Sequence, residues 1–272
     1  MVNSFGVRAA MRSRLTLVCS LAIAATACSS DRAYSPPGTV LTDVRVSEDV
    51  AVTAGLAASA SIADEAQSPS DHGTTTKCTY AATTGLWACA PNVNMQGLTA
   101  TRTYQYFDRA GLPMQYYDSL ATARIEYTSK SDGPIGNGTA VAGITHRTAA
   151  QTLSGLIGAE TTREWDGFGV SADTVTYHDA SGTRRYAGVQ LDSVKKVVYA
   201  QPRLRGSYPV SGQIVRVANY LVTQQGDGSE SRSVLRTIVT TFNGTATVPL
   251  RLGAIFCTLH LDTHAVDGCG GR

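Results

Sequence analysis

The sequence predicts an all-β fold, an antiparallel meander of about a dozen strands that forms a sandwich or a curved, half-barrel-like sheet. From Leu98 onward, short runs rich in β-branched and aromatic residues alternate with turn signals. The connections between these runs are mostly short, so neighbouring strands must be antiparallel, which argues against βαβ units and their nucleotide sites. One helix is expected on the N-terminal side of the sheet.

The first 27 residues are expected to be a signal peptide. Arg8, Arg12 and Arg14 form a positively charged segment, and residues 15–25 are a largely apolar run that is too short to span a bilayer. Met11 is an alternative start, because Met11-Arg-Ser-Arg14 already supplies the basic segment. The chain is therefore expected to be exported.

The end of this segment, Ala25-Thr26-Ala27-Cys28, resembles the lipobox of bacterial lipoproteins, with Ala25 in place of the usual Leu. The resemblance covers residues 11–28 and implies that residues 1–27 are removed and that Cys28 carries covalent lipid. Two or three acyl chains anchor a protein stably, because each buried CH₂ contributes about 0.8 kcal/mol. Ser29, where an Asp would retain a lipoprotein at the inner membrane of enteric bacteria, favours the outer membrane. The alternative is ordinary secretion with Cys28 left as a free thiol.

The charge of the chain excludes nucleic acid as a partner. The sequence has 23 basic and 21 acidic residues, and three of the basic residues lie in the signal peptide, so the mature chain has 20 against 21 and a net charge of −1. That balance gives no electrostatic footprint for nucleic acid. The expected partners are the membrane, through the lipid anchor, and an unknown envelope protein or small ligand.

Four cysteines beyond the signal region form two local pairs, Cys78 with Cys89 and Cys257 with Cys269. An even number suits an oxidising compartment. Four cysteines allow three connectivities, and the local pairing is favoured because each pair brackets a predicted hairpin. The alternative, a four-cysteine zinc site, lacks any Cys-x-x-Cys half-site.

Residues 28–76 are predicted to be a lipid-anchored tether that contains one helix. Residues 43–46 alternate like a short strand, and Ser47 is placed as the N-cap of a helix over residues 47–66. The helix would carry a thin apolar stripe, formed by Val52, Leu56, Ala60 and Ala63. Residues 67–76 read as a linker.

The β domain is expected to span residues 77–272. Folding the chain back about Thr83-Thr84 places Cys78 opposite Cys89 and Tyr80 opposite Trp87, on one face of a hairpin. Further turns are predicted at 109–111, 132–134, 179–182 and 226–228, and Asn243-Gly244 is the strongest two-residue hairpin signal.

Some of the predicted strands are apolar on both faces, at residues 214–222 and 234–239. One face would meet the core and the other a second layer, a helix or a ligand. A curved sheet partly covered by the 47–66 helix resembles, in outline, the half-barrel lipoprotein carriers of the bacterial envelope, although no residue motif is shared.

Two groups of residues suggest chemistry or binding. In an extended strand, His260, Asp262 and His264 would point to one side and could hold a metal ion, whereas a turn at 262–264 would break that alternation. A tyrosine cluster would line a sugar- or peptide-binding face or simply pack across strands; its members are Tyr104, Tyr106, Tyr116 and Tyr117.

These observations favour a cell-envelope lipoprotein that acts as a non-catalytic binding or structural module. The alternatives are a metal-assisted envelope hydrolase that uses His260, Asp262 and His264, and a carrier of lipid or another small ligand. No catalytic residue is assigned, and no cofactor is predicted apart from the covalent lipid on Cys28.

Overall fold

The computed structural model describes residues 41–66, 78–93, 97–136, 140–158, 161–180, 182–203, 206–225 and 229–271. The predicted signal peptide, Cys28, the linker at 67–76 and the turn at 226–228 lie outside these residues. The side chains of residues 58–66, which include Ala60 and Ala63, are also outside the description.

The described residues form a single antiparallel sheet of thirteen strands and one helix, which confirms the predicted all-β fold. The helix, α1, spans Asp43–Ala66. The strands are β1 (Cys78–Ala81), β2 (Leu86–Val93), β3 (Thr99–Phe107), β4 (Pro113–Met114), β5 (Arg124–Gly136), β6 (Val141–Ser154), β7 (Thr162–Asp179), β8 (Gly182–Ala200), β9 (Ser211–Gln225), β10 (Glu230–Thr241), β11 (Thr247–Leu252), β12 (Ile255–His260) and β13 (Val266–Gly271).

The strands lie side by side in the order of the sequence, and the sheet is open, with β1 at one edge and β13 at the other. Only the two-residue β4 lies off this path, paired with β3. The order follows from the short connections, because a short loop joins a strand to its immediate antiparallel neighbour.

The central strands are longer than the predicted runs. The strands expected around residues 179–182 are the paired ends of β7 and β8, which contain 18 and 19 residues. Glycines inside these strands interrupt the sequence pattern without ending the strand. At Gly188, for example, a Cβ would overlap the carbonyl oxygen of Asn219, so a glycine is needed where the backbones approach closely.

The two-residue hairpin predicted at Asn243-Gly244 is wrong. Strand β10 ends at Thr241 and β11 begins at Thr247, so five residues connect them. Asn243 Oδ1 accepts hydrogen bonds from the Thr245 backbone N–H at 3.1 Å and from the Thr245 hydroxyl at 2.8 Å. The asparagine side chain thus closes a local turn inside a longer loop, an alternative that the dipeptide signal does not distinguish.

The helix begins earlier than predicted, and the strand expected at residues 43–46 does not form. Thr42 is the N-cap: its hydroxyl accepts a hydrogen bond from the Arg45 N–H at 3.2 Å, and its carbonyl accepts the first helical bond from Val46. Ser47, the predicted cap, is a buried residue of the second turn. Alternation over four residues was too short to separate a strand from a first helical turn.

The helix packs against the inner face of the sheet at β9–β13. Its buried apolar side chains, among those described, are Val46, Val50, Ala51 and Ala54, whereas Val52 and Leu56 of the predicted stripe are only half-buried. Small side chains let the helix approach closely, and a Cβ on Gly55 would lie 2.8 Å from Leu259 Cδ1. The helix and the sheet therefore share one hydrophobic core.

Candidate functional site

A groove of about 510 Å³ lies between the helix and two parts of the sheet. One side of the groove is β13 with the turn before it, from His264 to Cys269. The other side is the end of β7 and the start of β8, around His178 and Asp179. The floor is one stripe of α1, at helical spacings of three and four residues: Arg45, Glu48, Asp49 and Val52. This volume lies within the range of small-ligand pockets.

A buried ion-pair network holds the floor of the groove in place. We call Asp49, Asp179, Arg184 and Tyr186 the clasp. Arg184 Nε lies 2.6 Å from Asp49 Oδ2 on the helix, and its Nη2 lies 2.7 Å from Asp179 Oδ2 at the end of β7. The Tyr186 hydroxyl donates to Asp49 Oδ2 at 2.6 Å. The clasp therefore fixes the helix to β7 and β8, in addition to the packing of the helix against β9–β13.

Burial perturbs the protonation of the clasp. Burial raises the pKa of the Tyr186 hydroxyl well above its ordinary value, and the nearby Asp49 carboxylate raises it further. Burial alone would lower the pKa of Arg184, but its hydrogen bonds to Asp49 and the charge of that carboxylate raise it. Tyr186 thus stays protonated as a donor and Arg184 stays charged at any physiological pH.

The lining of the groove is acidic on balance. It contains two arginines, Arg45 and Arg184, against four acidic residues, a net of −2 with histidines neutral. Within the clasp, Arg184 pairs with both Asp49 and Asp179, and Arg45 contacts Asp179 as well as Glu48. Glu48, which is 38% exposed on the helix and lies 3.4 Å from Arg45, and Asp267, which is 66% exposed on β13 and contacts His260, are the most exposed of the four carboxylates. Such a groove attracts a basic group.

A second polar network lies on the inner face of the central strands. Arg216 Nε lies 2.5 Å from Asp192 Oδ1, and Arg216 Nη1 donates to the carbonyl oxygen of Ala54 on the helix at 2.7 Å. Burial would raise the pKa of Asp192, but Arg216 and Arg147 outweigh it and hold that pKa below its ordinary value. This pair ties the middle of the helix to the sheet.

The neighbouring carboxylate, Asp173, accepts hydrogen bonds from three side chains. Thr145 donates at 2.5 Å, Ser171 donates at 2.8 Å, and Gln190 also donates. All four residues are buried. A carboxylate whose oxygens are occupied by donors is a structural group, so we assign this network to the core of the sheet.

The structure places His260, Asp262 and His264 at the β12–β13 connection. His260 is the last residue of β12, Asp262 and His264 lie in the turn that follows, and His264 has a φ of 60°. Asp262 Oδ1 accepts a hydrogen bond from the Thr263 N–H, and His264 lines the groove. In the described part of the chain, no three His, Cys, Asp or Glu side chains are grouped so as to hold a metal ion. The predicted metal site stays a prediction.

His260 instead contacts a carboxylate that the sequence analysis missed. Its Nε2 lies 3.0 Å from Asp267 Oδ2, and its Nδ1 lies 3.5 Å from the Thr247 hydroxyl on β11. The three side chains form a hydroxyl–imidazole–carboxylate chain, but it is solvent-exposed and its first contact is long. In the structure, Asp267 pairs with Thr258, two residues before His260 in β12, a register that the sequence alone does not indicate.

The four cysteines lie at disulfide distance in the predicted pairs. The sulfur atoms of Cys78 and Cys89, and those of Cys257 and Cys269, are each 2.09 Å apart. In the first hairpin, Cys78 pairs with Cys89 and Tyr80 with Trp87, in the predicted register. The second pair joins β12 to β13 beside the groove, since Cys269 is one of its lining residues.

The tyrosines proposed as a binding face are divided by the structure. Tyr104 and Tyr106 are buried, Tyr117 packs against the core, and Tyr116 is exposed. Tyr104 belongs to a row of aromatic side chains that crosses adjacent strands in register, with Trp87 on one side and Tyr127 on the other. This row stabilises the N-terminal half of the sheet by cross-strand packing.

Comparison with known proteins places the chain in no family. No family model, no curated protein sequence and no solved structure matches it. Among the described residues, no helix has the length and apolar character needed to cross a membrane. The functional argument therefore rests on the chain's own residues.

Proposed function

We propose that the protein is a lipid-anchored module of the bacterial cell envelope that binds a basic group of a partner in the groove between α1, β13 and the β7–β8 ends, without catalysis. The acidic groove, held open by the buried clasp, is the observation that carries this proposal. Anchoring through Cys28, for which Ser29 favours the outer membrane, would hold the groove close to a membrane surface.

The rigidity of the groove supports a binding role. Its floor is fixed by Arg184, which is 2% exposed, and β13 is braced by the Cys257–Cys269 pair. A site whose walls are fixed before the ligand arrives loses little conformational entropy on binding. Two of its acidic side chains lie on different elements, Glu48 on the helix that forms the floor and Asp267 on β13 at one side.

The test is a titration of the mature chain, carrying Cys28→Ser, with a fluorescein-labelled peptide of alternating glycine and lysine, followed by anisotropy. A charge pair about 4 Å apart contributes roughly 1 kcal/mol even at the dielectric constant of water. We therefore expect Glu48→Gln and Asp267→Asn together to weaken binding about tenfold or more. The matched control, Glu126→Gln, removes an exposed acidic residue of β5 that is outside the groove.

Two results would contradict the proposal. One is the absence of binding by the unaltered chain at low salt, where surface electrostatics are strongest. The other is an equal loss of affinity in the Glu126→Gln control, which would indicate a non-specific response to net charge. A peptide with glutamate in place of lysine is expected to bind at least tenfold more weakly.

The hydrolase and carrier alternatives remain separate predictions. A metal-assisted hydrolase requires a stoichiometric metal that is lost on replacing His260 and His264. A carrier requires an apolar ligand that co-purifies with the chain. Native mass spectrometry of the Cys28→Ser chain detects either ligand directly as added mass.

A further inference from the structure

The outer face of the central strands exposes a group of large apolar side chains. They are Ile144, Phe168, Val170, Val189, Leu191, Leu221 and Leu235, each between 43% and 64% exposed. They lie on five adjacent strands, β6 to β10. The strand register brings them together: Val170 pairs with Leu191, and Val189 and Leu235 both pair with Asn219. We call these side chains the outer patch. The exposed Asn219 lies between Val189 and Leu235, and Ile144, which pairs with Thr174, lies at the margin of the group.

The outer patch contains no charge. On β9 and β10 the outward positions alternate with buried residues such as Tyr220 and Val234, and none of them is Asp, Glu, Lys or Arg. On β8 the nearest outward charges are Arg185 and Lys195, at either end of the patch. The sequence showed that these strands are apolar on both faces. In the structure, one of these faces lies in the core and the other is exposed to solvent.

The area of the outer patch is that of an interface. Seven large apolar side chains, each about half exposed, present on the order of 700 Å² of accessible surface, close to the ~800 Å² that each partner contributes to a standard interface. A typical monomer exposes no apolar patch larger than roughly 300–600 Å². Single apolar residues scattered over a surface are normal, but a large group of them without charged neighbours is typical of an interaction site.

We propose that the outer patch binds the same patch of a second copy of this chain, so that two sheets pack face to face. A symmetric dimer places each surface against itself, and an uncharged patch meets its own copy without like-charge repulsion. The helix lies on the inner side of the sheet, so the outer sides of two copies can meet without obstruction from α1.

The test is sedimentation velocity of the Cys28→Ser mature chain over 1–100 µM, without lipid. The expected result is a reversible dimer whose dissociation constant rises at least a hundredfold in Leu191→Lys and, independently, in Leu221→Lys. The matched control is Leu120→Lys, at a more exposed leucine outside the sheet, which is expected to leave the dimer unchanged. Circular dichroism of each variant checks that the fold is retained.

Three outcomes would overturn the proposal. The chain could be monomeric at 100 µM, or the dimer could survive both substitutions in the patch. The unaltered chain could also remain monomeric and bind phosphatidylglycerol vesicles in a manner that Leu191→Lys abolishes, which would assign the patch to a membrane surface instead.

Discussion

The clasp predicts that one buried arginine, Arg184, contributes strongly to fixing the helix to β7 and β8. In Arg184→Gln, the Asp49 carboxylate loses both of its contacts to the guanidinium and keeps the Tyr186 hydroxyl as its remaining clasp partner. Asp49 is only 5% exposed although it lines the groove, so water is a poor replacement for the lost partner. The substitution therefore leaves a buried charge without its counter-ion.

Leaving one member of a buried ion pair uncompensated costs about 3–5 kcal/mol. For a chain of this size, 1 kcal/mol corresponds to roughly 2–4 °C in Tm, so Arg184→Gln is expected to lower Tm by about 10 °C. The double variant Asp49→Asn, Arg184→Gln removes both charges and is expected to recover about half of that loss. The assay is urea unfolding followed by far-ultraviolet circular dichroism, with Tm from the same signal.

The control is Glu126→Gln, which removes one member of the exposed Arg124–Glu126 pair, whose atoms lie 3.0 Å apart. An exposed pair contributes at most about 1 kcal/mol. The reasoning is refuted if Arg184→Gln costs no more than this control. It is also refuted if the double variant is less stable than Arg184→Gln, because the buried charge would then not be the source of the loss.

Three further predictions concern stability. Replacing Cys257 and Cys269 by serine is expected to cost about 3 kcal/mol in urea unfolding, because their separation of 12 residues closes a loop whose entropy the disulfide removes. The lowered pKa of Asp192 stabilises the fold above the unfolded-state pKa near 4, and this contribution is lost as the pH falls through the folded-state pKa. The free energy of unfolding, measured from pH 7 to pH 2, should therefore depend less on pH in Asp192→Asn than in the unaltered chain. An unchanged pH dependence would contradict the assignment. Gly188→Ala is expected to lower the free energy of unfolding by about 1–3 kcal/mol or more, because its Cβ would overlap backbone. In Gly270→Ala the new Cβ meets no atom within 4 Å, so stability should change by less than about 0.5 kcal/mol. Equal effects of the two substitutions would contradict the close approach of the strands.

The antiparallel pairing of neighbouring strands could be predicted from the sequence because it depends on local signals. The hairpin around Thr83-Thr84 was predicted to the residue, since two independent pairs, one of cysteines and one of aromatics, fix the same register. If one strand shifted by one residue, the two members of each pair would lie on opposite faces of the hairpin. Where a single dipeptide carried the prediction, as at Asn243-Gly244, the loop length was wrong.

The candidate site could not be predicted in the same way, because its residues come together only through the curvature of the sheet. Asp49 and Arg184 are 135 positions apart, and nothing local indicates that a helical aspartate meets an arginine on β8. Two residues that the sequence analysis singled out, His264 as a metal ligand and Cys269 as a disulfide partner, do line the groove. The sequence analysis missed Asp267 as the partner of His260, because the turn before β13 interrupts the alternation on which such pairings are read.

The central claim is that a basic group binds in the groove between α1 and β13. The most direct measurement is hydrogen exchange of the Cys28→Ser chain with and without saturating glycine–lysine peptide. We predict slower exchange in residues 45–52 of α1 and 264–269 at β13, with no change in β9 on the outer patch. Protection confined to other strands, or no protection at a peptide concentration that saturates the anisotropy signal, would contradict the account.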